Sequence, residues 1–250
     1  MKNRKRLDMA MVDRNLAPSR DKARAMIMAG EVLLGERVVF KPDHRVSPED
    51  SIVIKARYPY VSRGAFKIER AFREFGLSPR DLRVVDIGIS SGGFTDYMLQ
   101  RGAASVTGVD VNIKQVDQAI RIRPEVRLIE KNARFLVPED IGFEPDLFTI
   151  DVSFISVLRV LEALRRFPRT RVLALVKPQF EADRHRVGKG GVVRDDLLRS
   201  RILEDLKNKI ETLGFRLLAM TEAGIRGRRG NQEFFFLLES GNRPINDDKI

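Results

Sequence analysis

Cysteine is absent from the 250-residue sequence, and only two histidines, His44 and His185, occur in it. Without cysteine the chain has no disulfide framework, zinc ribbon, iron–sulfur cluster or thiol nucleophile. The two histidines are far apart in the sequence and have ordinary neighbours, so we expect neither to act as a catalytic base or a metal ligand. Any chemistry must therefore depend on lysine, carboxylate and hydroxyl groups, and no metal is predicted.

Long apolar runs are also lacking, whereas positive charge is in excess. No run approaches the roughly 18 residues of a membrane-spanning helix, and the basic start MKNRKR lacks the apolar segment of a secretory signal. We therefore expect a cytoplasmic protein that does not enter membranes. The net charge is +11, of which +5 falls in the first 60 residues. Such an excess favours polyanionic partners, nucleic acid above all, through counterion release.

Residues 1–57 read as a small α+β domain. An apolar helical stripe begins at Leu7, Ser19 is placed to cap a second helix, and Gly30 ends that helix. The segment VLLGERVVF then alternates as a hairpin does around Gly35. Residues 58–63 are expected to link this domain to the rest of the chain.

The second of these helices carries a basic face. Arg20 and Arg24 lie four residues apart, so both guanidinium groups can meet phosphates on one side. The order of helices, glycines and a lysine-proline pair over residues 6–56 resembles the S-four RNA-binding domain. The resemblance implies that the helices follow RNA shape and phosphates and read base sequence only weakly. RNA contacts are predicted for Arg4, Arg6, Arg20, Lys22, Arg24, Arg63, Lys189 and Arg228.

From residue 82 onward, strands and helices alternate in the βαβ pattern of a parallel sheet covered on both faces. Six segments, from RVVDIGI to FRLLAM, read as strands, and helices are expected to begin near Gly93, Lys114, Ser156 and Asp195. The last strand, EFFFLLES, follows FRLLAM without a helix, which predicts an antiparallel end to the sheet. The pattern predicts an α/β, doubly wound Rossmann-like methyltransferase domain over residues 64–250.

The loop DIGISSGGF, after the first of these strands, is the candidate cofactor loop. Its glycines let a ligand approach the backbone, but its spacing fits neither the G-x-G-x-x-G of nicotinamide binding nor a triphosphate loop. Asp86 would repel a phosphate and attract a ligand with an amino group. Asp110, at the end of the next strand, is suited to accept both ribose hydroxyls, although a helix-capping role remains open for it. These features favour S-adenosylmethionine over NAD.

Four ionisable residues lie at strand ends or adjoining turns, where open parallel sheets place their sites. Lys177 follows the apolar strand VLALV, so its amine is partly out of water and suited to take a proton from a hydroxyl. Asp151 in DVSF is expected to orient that amine. Lys67 in SRGAFK and Glu233 in GNQEFFF complete the set. Each of these residues alone also fits a surface salt bridge.

The order K, D, K, E of these four residues resembles that of the RrmJ/FtsJ-like ribose 2′-O-methyltransferases. The chain resembles still more closely the TlyA (hemolysin A) family of ribosomal RNA methyltransferases, in the stretches YVSRGAFK, GGFTDYMLQRGA, VKPQFE, VGKGGVVRD and GNQEFF. The resemblance implies a catalytic tetrad of Lys67, Asp151, Lys177 and Glu233, with Lys177 as the base. It also implies that S-adenosylmethionine is bound by Asp86, Gly88, Ser90, Gly92, Gly93, Phe94, Asp110, Asn132 and Asp151.

The implied activity is metal-free methylation of a cytidine 2′-hydroxyl in ribosomal RNA, on the RNA or on ribosomal subunits. Three alternatives stay open. The first is a ribosome-associated RNA-binding protein with a relic methyltransferase domain, and the second is an NAD-dependent dehydrogenase. The third is a haemolytic pore former, against which the lack of a membrane-spanning run argues.

Overall fold

The computed structural model describes residues 4–28, 30–54, 59–168, 170–182, 187–188, 190–227 and 230–240. The chain divides into two compact units, residues 1–59 and 60–250. The boundaries of the expected linker, 58–63, stay a prediction, and Tyr60 is buried in the hydrophobic core of the second unit. None of the helices in the described ranges combines the length and the apolar character that crossing a membrane requires.

The first unit consists of short helices and small antiparallel sheets around a core that includes Leu7, Met11 and Ile27. Ser19 caps the second helix, as predicted, because its Oγ accepts a hydrogen bond from the backbone N–H of Lys22. In chain order the elements are β1 (Lys5–Arg6), α1 (Leu7–Asp13), α2 (Arg20–Met28), β2 (Val32–Leu34), β3 (Arg37–Val38), β4 (Arg45–Val46) and β5 (Ile52–Ile54). Strand β2 pairs with β3 and β5, and β1 pairs with β4.

The second unit is built on a seven-stranded sheet with helices between most of its strands. Its elements are α3 (Gly64–Glu74), β6 (Arg83–Ile87), α4 (Gly93–Gln100), β7 (Ser105–Asp110), α5 (Gln118–Arg121), β8 (Val126–Glu130), α6 (Pro138–Ile141), β9 (Leu147–Ile150), α7 (Leu158–Leu164), β10 (Arg171–Val176), α8 (Pro178–Glu181), α9 (Asp196–Thr212), β11 (Phe215–Glu222) and β12 (Phe234–Ser240).

The strand order is β11-β12-β10-β9-β6-β7-β8. Strands β6 to β10 pair in parallel, and β12 runs antiparallel to both of its neighbours, which confirms the predicted antiparallel end of the sheet. From β6 the chain first builds outward to β7 and β8 and then returns to β9 on the other side. The carboxyl ends of β6 and β9 therefore mark the point at which doubly wound sheets bind their ligands.

Alternate side chains of the central strands enter two separate cores, one on each face of the sheet. In β10, Val172, Ala174 and Val176 belong to the first core, whereas Leu173 and Leu175 belong to the second. This alternation follows from the two-residue period of a strand. It explains why the strands read as continuous apolar runs, and it confirms that both faces are covered.

One expected helix differs from the sequence prediction. Instead of a helix from Lys114, the chain forms a short 3₁₀ turn at Ile113–Gln115 and begins α5 only at Gln118. The Asn112 side chain accepts a hydrogen bond from the backbone N–H of Lys114 and caps this 3₁₀ turn. Asp117 then caps α5 by accepting from the backbone N–H of Ala119. Two capping residues therefore divide a segment that its apolar pattern alone would make one helix.

Candidate active site

Four neighbouring strands bring the predicted polar residues to the same edge of the sheet. Val176 of β10 is paired with Phe234 of β12, so Lys177, one residue beyond, and Glu233, one residue before, leave adjacent strands together. On the other side, Ile87 of β6 is paired with Ile150 of β9. Gly88 and Asp151 follow these paired residues directly. The register of the sheet thus sets the spatial order Glu233, Lys177, Asp151 and Gly88.

The predicted tetrad residues form two close ion pairs. The Lys177 Nζ lies 2.6 Å from Asp151 Oδ1 and donates a hydrogen bond to Ser153 Oγ at 2.9 Å. The Lys67 Nζ, which projects from α3, lies 2.6 Å from Glu233 Oε2. The side chains of Lys67 and Glu233 are only 14% and 4% exposed, so this pair is largely removed from water. Ser153 lies within the DVSF stretch, but the sequence did not indicate its contact with lysine.

A cavity of about 420 Å³ opens at this edge of the sheet. This volume is within the range of pockets that hold small molecules. Ser62 and Ser91 line it as well, although the sequence did not indicate them individually, and so does Arg226. Arg226 begins the basic RGRRG loop, residues 226–230, whose charge predicts contact with RNA phosphates beside the site. The predicted residues that line the cavity are Arg63, Lys67, Asp86, Gly88, Ser90, Gly93, Phe94 and Asp151.

Two glycines of the cofactor loop are tightly packed beneath the cavity, and at one of them the backbone requires glycine. Gly88 has a φ of +82°, and a Cβ at this position would lie 2.5 Å from the carbonyl oxygen of Asp151. A Cβ on Gly93 would collide with the Ser62 hydroxyl. Glycine is therefore the residue that lets the loop turn while it stays against β9.

Asp86 is a buried carboxyl group that borders the cavity. Its Oδ2 accepts a hydrogen bond from the Thr95 hydroxyl at 2.7 Å, and its Oδ1 accepts one from the Thr149 hydroxyl at 2.8 Å. Burial raises the pKa of Asp86 to about 6, the negative charge of Asp151 adds to the rise, and the two hydroxyl groups oppose it. A carboxyl group in this state gains from a positively charged ligand.

Asp110 and Asn132 adjoin the cavity loop without lining the cavity. Asp110 Oδ2 accepts from the backbone N–H of Ser90 at 3.0 Å, and its Oδ1 accepts from that of Asn112, so the carboxylate holds the loop in place. Oδ1 also accepts from the Gln115 side-chain amide at 3.5 Å. Oδ2 keeps a further lone pair for another donor. Asn132 caps a short 3₁₀ turn, and the preceding Lys131 donates its backbone N–H to the Asp110 carbonyl oxygen. Gly92 precedes α4 with a φ of +95°.

Two of the arginines predicted to contact RNA share one buried carboxylate. Arg6 Nε lies 3.0 Å from Asp8 Oδ1, and Arg20 Nε lies 3.0 Å from Asp8 Oδ2. Asp8 is 0% exposed, while both arginines reach the surface. The hydrogen bond from Arg6 is the main reason that the pKa of Asp8 falls to about 2. Asp8 therefore stays ionised and fixes both guanidinium groups.

The other residues predicted to contact RNA are distributed over both units. Arg4, Lys22 and Arg24 are exposed in the first unit, and Arg63 lines the cavity of the second. Lys189 and Arg228 lie outside the described residues.

The order of the sheet, its antiparallel strand β12 and the glycine loop beside paired lysines and carboxylates define a methyltransferase fold of the S-adenosylmethionine-dependent class. A solved structure from Listeria monocytogenes, described as an S-adenosylmethionine dependent methyltransferase, shares this fold with a TM-score of 0.50 at 15% identity, and covers 72% of this chain and 100% of that chain.

The chain belongs to the FtsJ-like methyltransferase family, whose model matches residues 60–240. The S4 domain model matches residues 5–52. The two matches account for the two compact units and confirm both family resemblances.

The similarity to several known proteins extends over nearly the whole chain. The 16S/23S rRNA (cytidine-2′-O)-methyltransferase TlyA of Mycobacterium tuberculosis is 38% identical over 96% of this chain and 91% of its own length. Hemolysin A of Brachyspira hyodysenteriae is 38% identical over 92% of this chain and 97% of its own. A solved structure described as a hemolysin from Streptococcus thermophilus has a TM-score of 0.74 and 36% identity, and covers 99% of this chain and 92% of that chain.

Proposed function

We propose that this protein transfers a methyl group from S-adenosylmethionine to the 2′-hydroxyl of a cytidine in ribosomal RNA. The observation that carries the proposal is the pairing of Lys177 with Asp151, and of Lys67 with Glu233, around the glycine loop of an FtsJ-like chain. The named activity of the similar mycobacterial protein supports the choice of cytidine. From the proposed ribosomal RNA substrate we infer that the protein acts in the cytoplasm.

The cavity is of a size that suits S-adenosylmethionine, and one carboxyl group at its border suits the positive charge of that ligand. Its volume is about 420 Å³, and the Asp86 carboxyl group at its border favours a ligand with positive charges. The cofactor supplies an electrophilic methyl group when it is bound. We assign its binding to the loop from Asp86 to Phe94, to Asp110 and Asn132 at the neighbouring strand ends, and to Asp151.

The lysines and carboxylates around the cavity then act on the RNA hydroxyl. Lys177 Nζ accepts the proton of the 2′-hydroxyl, while Asp151 and Ser153 fix the direction of the amine. The amine must be uncharged at that moment, and the ion pair with Asp151 opposes this. Binding of the substrate therefore has to weaken that pair. The Lys67–Glu233 pair positions the ribose, so the protein mainly aligns the two reactants.

Methyl transfer to isolated ribosomal subunits tests the proposed function. Small and large subunits from cells without this protein are incubated with it and with S-adenosylmethionine labelled in the methyl group. Label in a cytidine ribose of one of the ribosomal RNAs is the expected result. Binding to subunits without any transfer would favour the relic RNA-binding protein, and thermal stabilisation by NAD but not by S-adenosylmethionine would favour the dehydrogenase.

The affinity for S-adenosylmethionine should depend on pH through Asp86. This carboxyl group, with a pKa of about 6, is ionised above that pH and neutral below it. The affinity for the cationic ligand should therefore be constant above about pH 7 and fall by up to about tenfold for each pH unit below 6. Calorimetric titration between pH 5 and 8 measures it.

Adenosine, which carries no charge, is the control ligand, and its affinity should stay flat across this range. The variant Asp86→Asn should bind S-adenosylmethionine weakly at every pH. The stability of the ligand-free chain should depend on pH in the opposite direction to the affinity. Because the pKa of Asp86 in the folded chain lies above the ordinary 3.8, its contribution to the free energy of unfolding falls as pH rises from about 4 to 6. A pH-independent affinity of the wild type would contradict the role of Asp86.

Replacement of Asp8 by asparagine should weaken RNA binding. The neutral amide no longer holds Arg6 and Arg20, which donate to the carboxylate at 3.0 Å each. We expect about a tenfold loss of affinity for ribosomal subunits. The reason is the loss of the charge-assisted hydrogen bonds that orient the two arginines toward RNA phosphates. Filter binding at fixed salt measures the change.

This substitution also raises the net charge of the unit by one, which by electrostatics alone would strengthen binding. A stronger complex for Asp8→Asn would therefore reject the positioning role. Asp13→Asn, at the exposed pair with Lys5, adds the same charge elsewhere in the unit and is the matched control.

A further inference from the structure

One aromatic side chain of the first unit, Phe40, is largely exposed. It is 63% exposed and lies two residues beyond the end of β3. One side of the ring lies against Gly30, where an added Cβ would come within 2.7 Å of Phe40 Cε1. Gly30 therefore supports the ring from one side while the rest of the ring faces solvent. A single exposed apolar side chain is common and does not by itself indicate a binding site. The residues around Phe40 are therefore needed to assign it a role.

The surroundings form a cavity of about 440 Å³ with an apolar floor and a basic rim. Leu34, Val38 and Val39 supply the floor beside Phe40. The side chains at the rim are exposed and rich in nitrogen donors: Arg37, Lys41 and His44. A flat apolar surface edged by cations is complementary to a nucleotide, in which an aromatic base is joined to an anionic phosphate.

The loop after Phe40 lies next to the segment that carries Asp8 and its arginine cluster. The backbone N–H of Leu7 donates to the carbonyl oxygen of His44 at 2.8 Å, and that of Asp8 donates to the carbonyl oxygen of Pro42 at 3.0 Å. The loop after Phe40 is thus bonded to the start of α1, which carries Asp8. Phe40 and the arginines on Asp8 therefore belong to neighbouring, directly bonded segments of the same unit.

We propose that Phe40 stacks on an unpaired base of the RNA substrate, while Arg37 and Lys41 bind the adjoining phosphates. The proposal rests on the proposed function for the choice of RNA as the partner. It adds a specific base contact to a unit whose helices are expected to follow RNA shape and phosphates and to read bases only weakly. An acidic peptide with an apolar side chain is less well matched, since the same unit carries the S4 match and the exposed arginines.

Equilibrium binding of the full chain to isolated ribosomal subunits tests the proposal, independently of methyl transfer. Loss of one base stack weakens binding by about 5- to 100-fold, so Phe40→Ala should raise Kd by that factor. Phe40→Trp should bind as the wild type does or more tightly. Phe40→Leu keeps an apolar side chain but lacks a π face, and should bind nearly as weakly as Phe40→Ala.

The salt dependence of the same measurement separates stacking from charge. Phe40→Ala should leave the slope of log K against log salt unchanged. Arg37→Gln should lower the magnitude of this slope by about 1, which corresponds to the loss of one phosphate contact. Val53→Ala, at another exposed apolar residue of the unit, is the matched control and should bind normally. Thermal melting of each variant checks that it is folded.

The two proposals can fail separately. A wild type that binds subunits but never methylates them would end the proposed function and leave the Phe40 comparison intact. Wild-type binding by Phe40→Leu or Phe40→Ala would overturn the stacking proposal, whatever the outcome for methyl transfer. Absence of binding to either subunit by the wild type would overturn both.

Discussion

Replacing Lys177 with methionine is expected to lower kcat for methyl transfer by about 10²- to 10⁴-fold, the usual contribution of a positioned general base. Methionine keeps the apolar stem and removes only the amine, which lies 2.6 Å from Asp151 and 2.9 Å from Ser153. The affinity for S-adenosylmethionine should stay within about threefold, because the lost interaction acts in the transition state. Single-turnover transfer to saturating ribosomal subunits, together with calorimetry for the cofactor, measures both quantities.

A second substitution at the same position separates proton transfer from charge. Lys177→Arg retains a cation near Asp151, but a guanidinium group does not give up its proton in proteins. If Lys177 is the base, Lys177→Arg should be as inactive as the methionine variant. Substantial activity with arginine would contradict the base and indicate that the positive charge alone matters. Lys207→Met, at an exposed pair with Glu204 on α9, is the control and should turn over normally.

The location of the candidate site could be predicted from the sequence because strand ends are visible in it. Lys177 follows an apolar strand, and Asp151 follows another, so the rule for parallel sheets brings both to the same edge. The glycines after β6 similarly indicated the loop that lines the cavity. The antiparallel β12 could be read from the absence of a helix after FRLLAM.

The partners of these side chains could not be predicted, because they depend on register and packing across the chain. Lys67 and Glu233 are 166 residues apart, and their contact exists only because α3 packs beside the carboxyl edge of the sheet. Asp8 appears in the sequence as an ordinary helical carboxylate, whereas burial makes it the anchor of two arginines. The exposure of Phe40 is equally invisible, since an alternating strand pattern would assign a phenylalanine to the core.

The Lys67–Glu233 pair should have a large effect on stability as well as on activity. Glu233→Met leaves the Lys67 ammonium largely buried without its partner, and Lys67→Met leaves the Glu233 carboxylate in the same state. Each single variant is expected to lower the free energy of unfolding by about 3 kcal/mol or more, the usual cost of breaking a buried ion pair. The double variant removes both charges and should regain most of that loss. Urea denaturation of the four proteins gives the coupling energy.

Activity should not follow stability in this series. The double variant has an apolar pair where the wild type has a cation and an anion beside the cavity, so its methyl transfer should remain low although it is well folded. Glu162→Met, at the exposed pair with Arg159 on α7, should change stability by less than about 0.5 kcal/mol and is the control for loss of an ion pair as such. If the two single effects simply add in the double variant, the pair is not coupled. If the double variant methylates RNA normally, Lys67 and Glu233 maintain the fold and do not position the ribose.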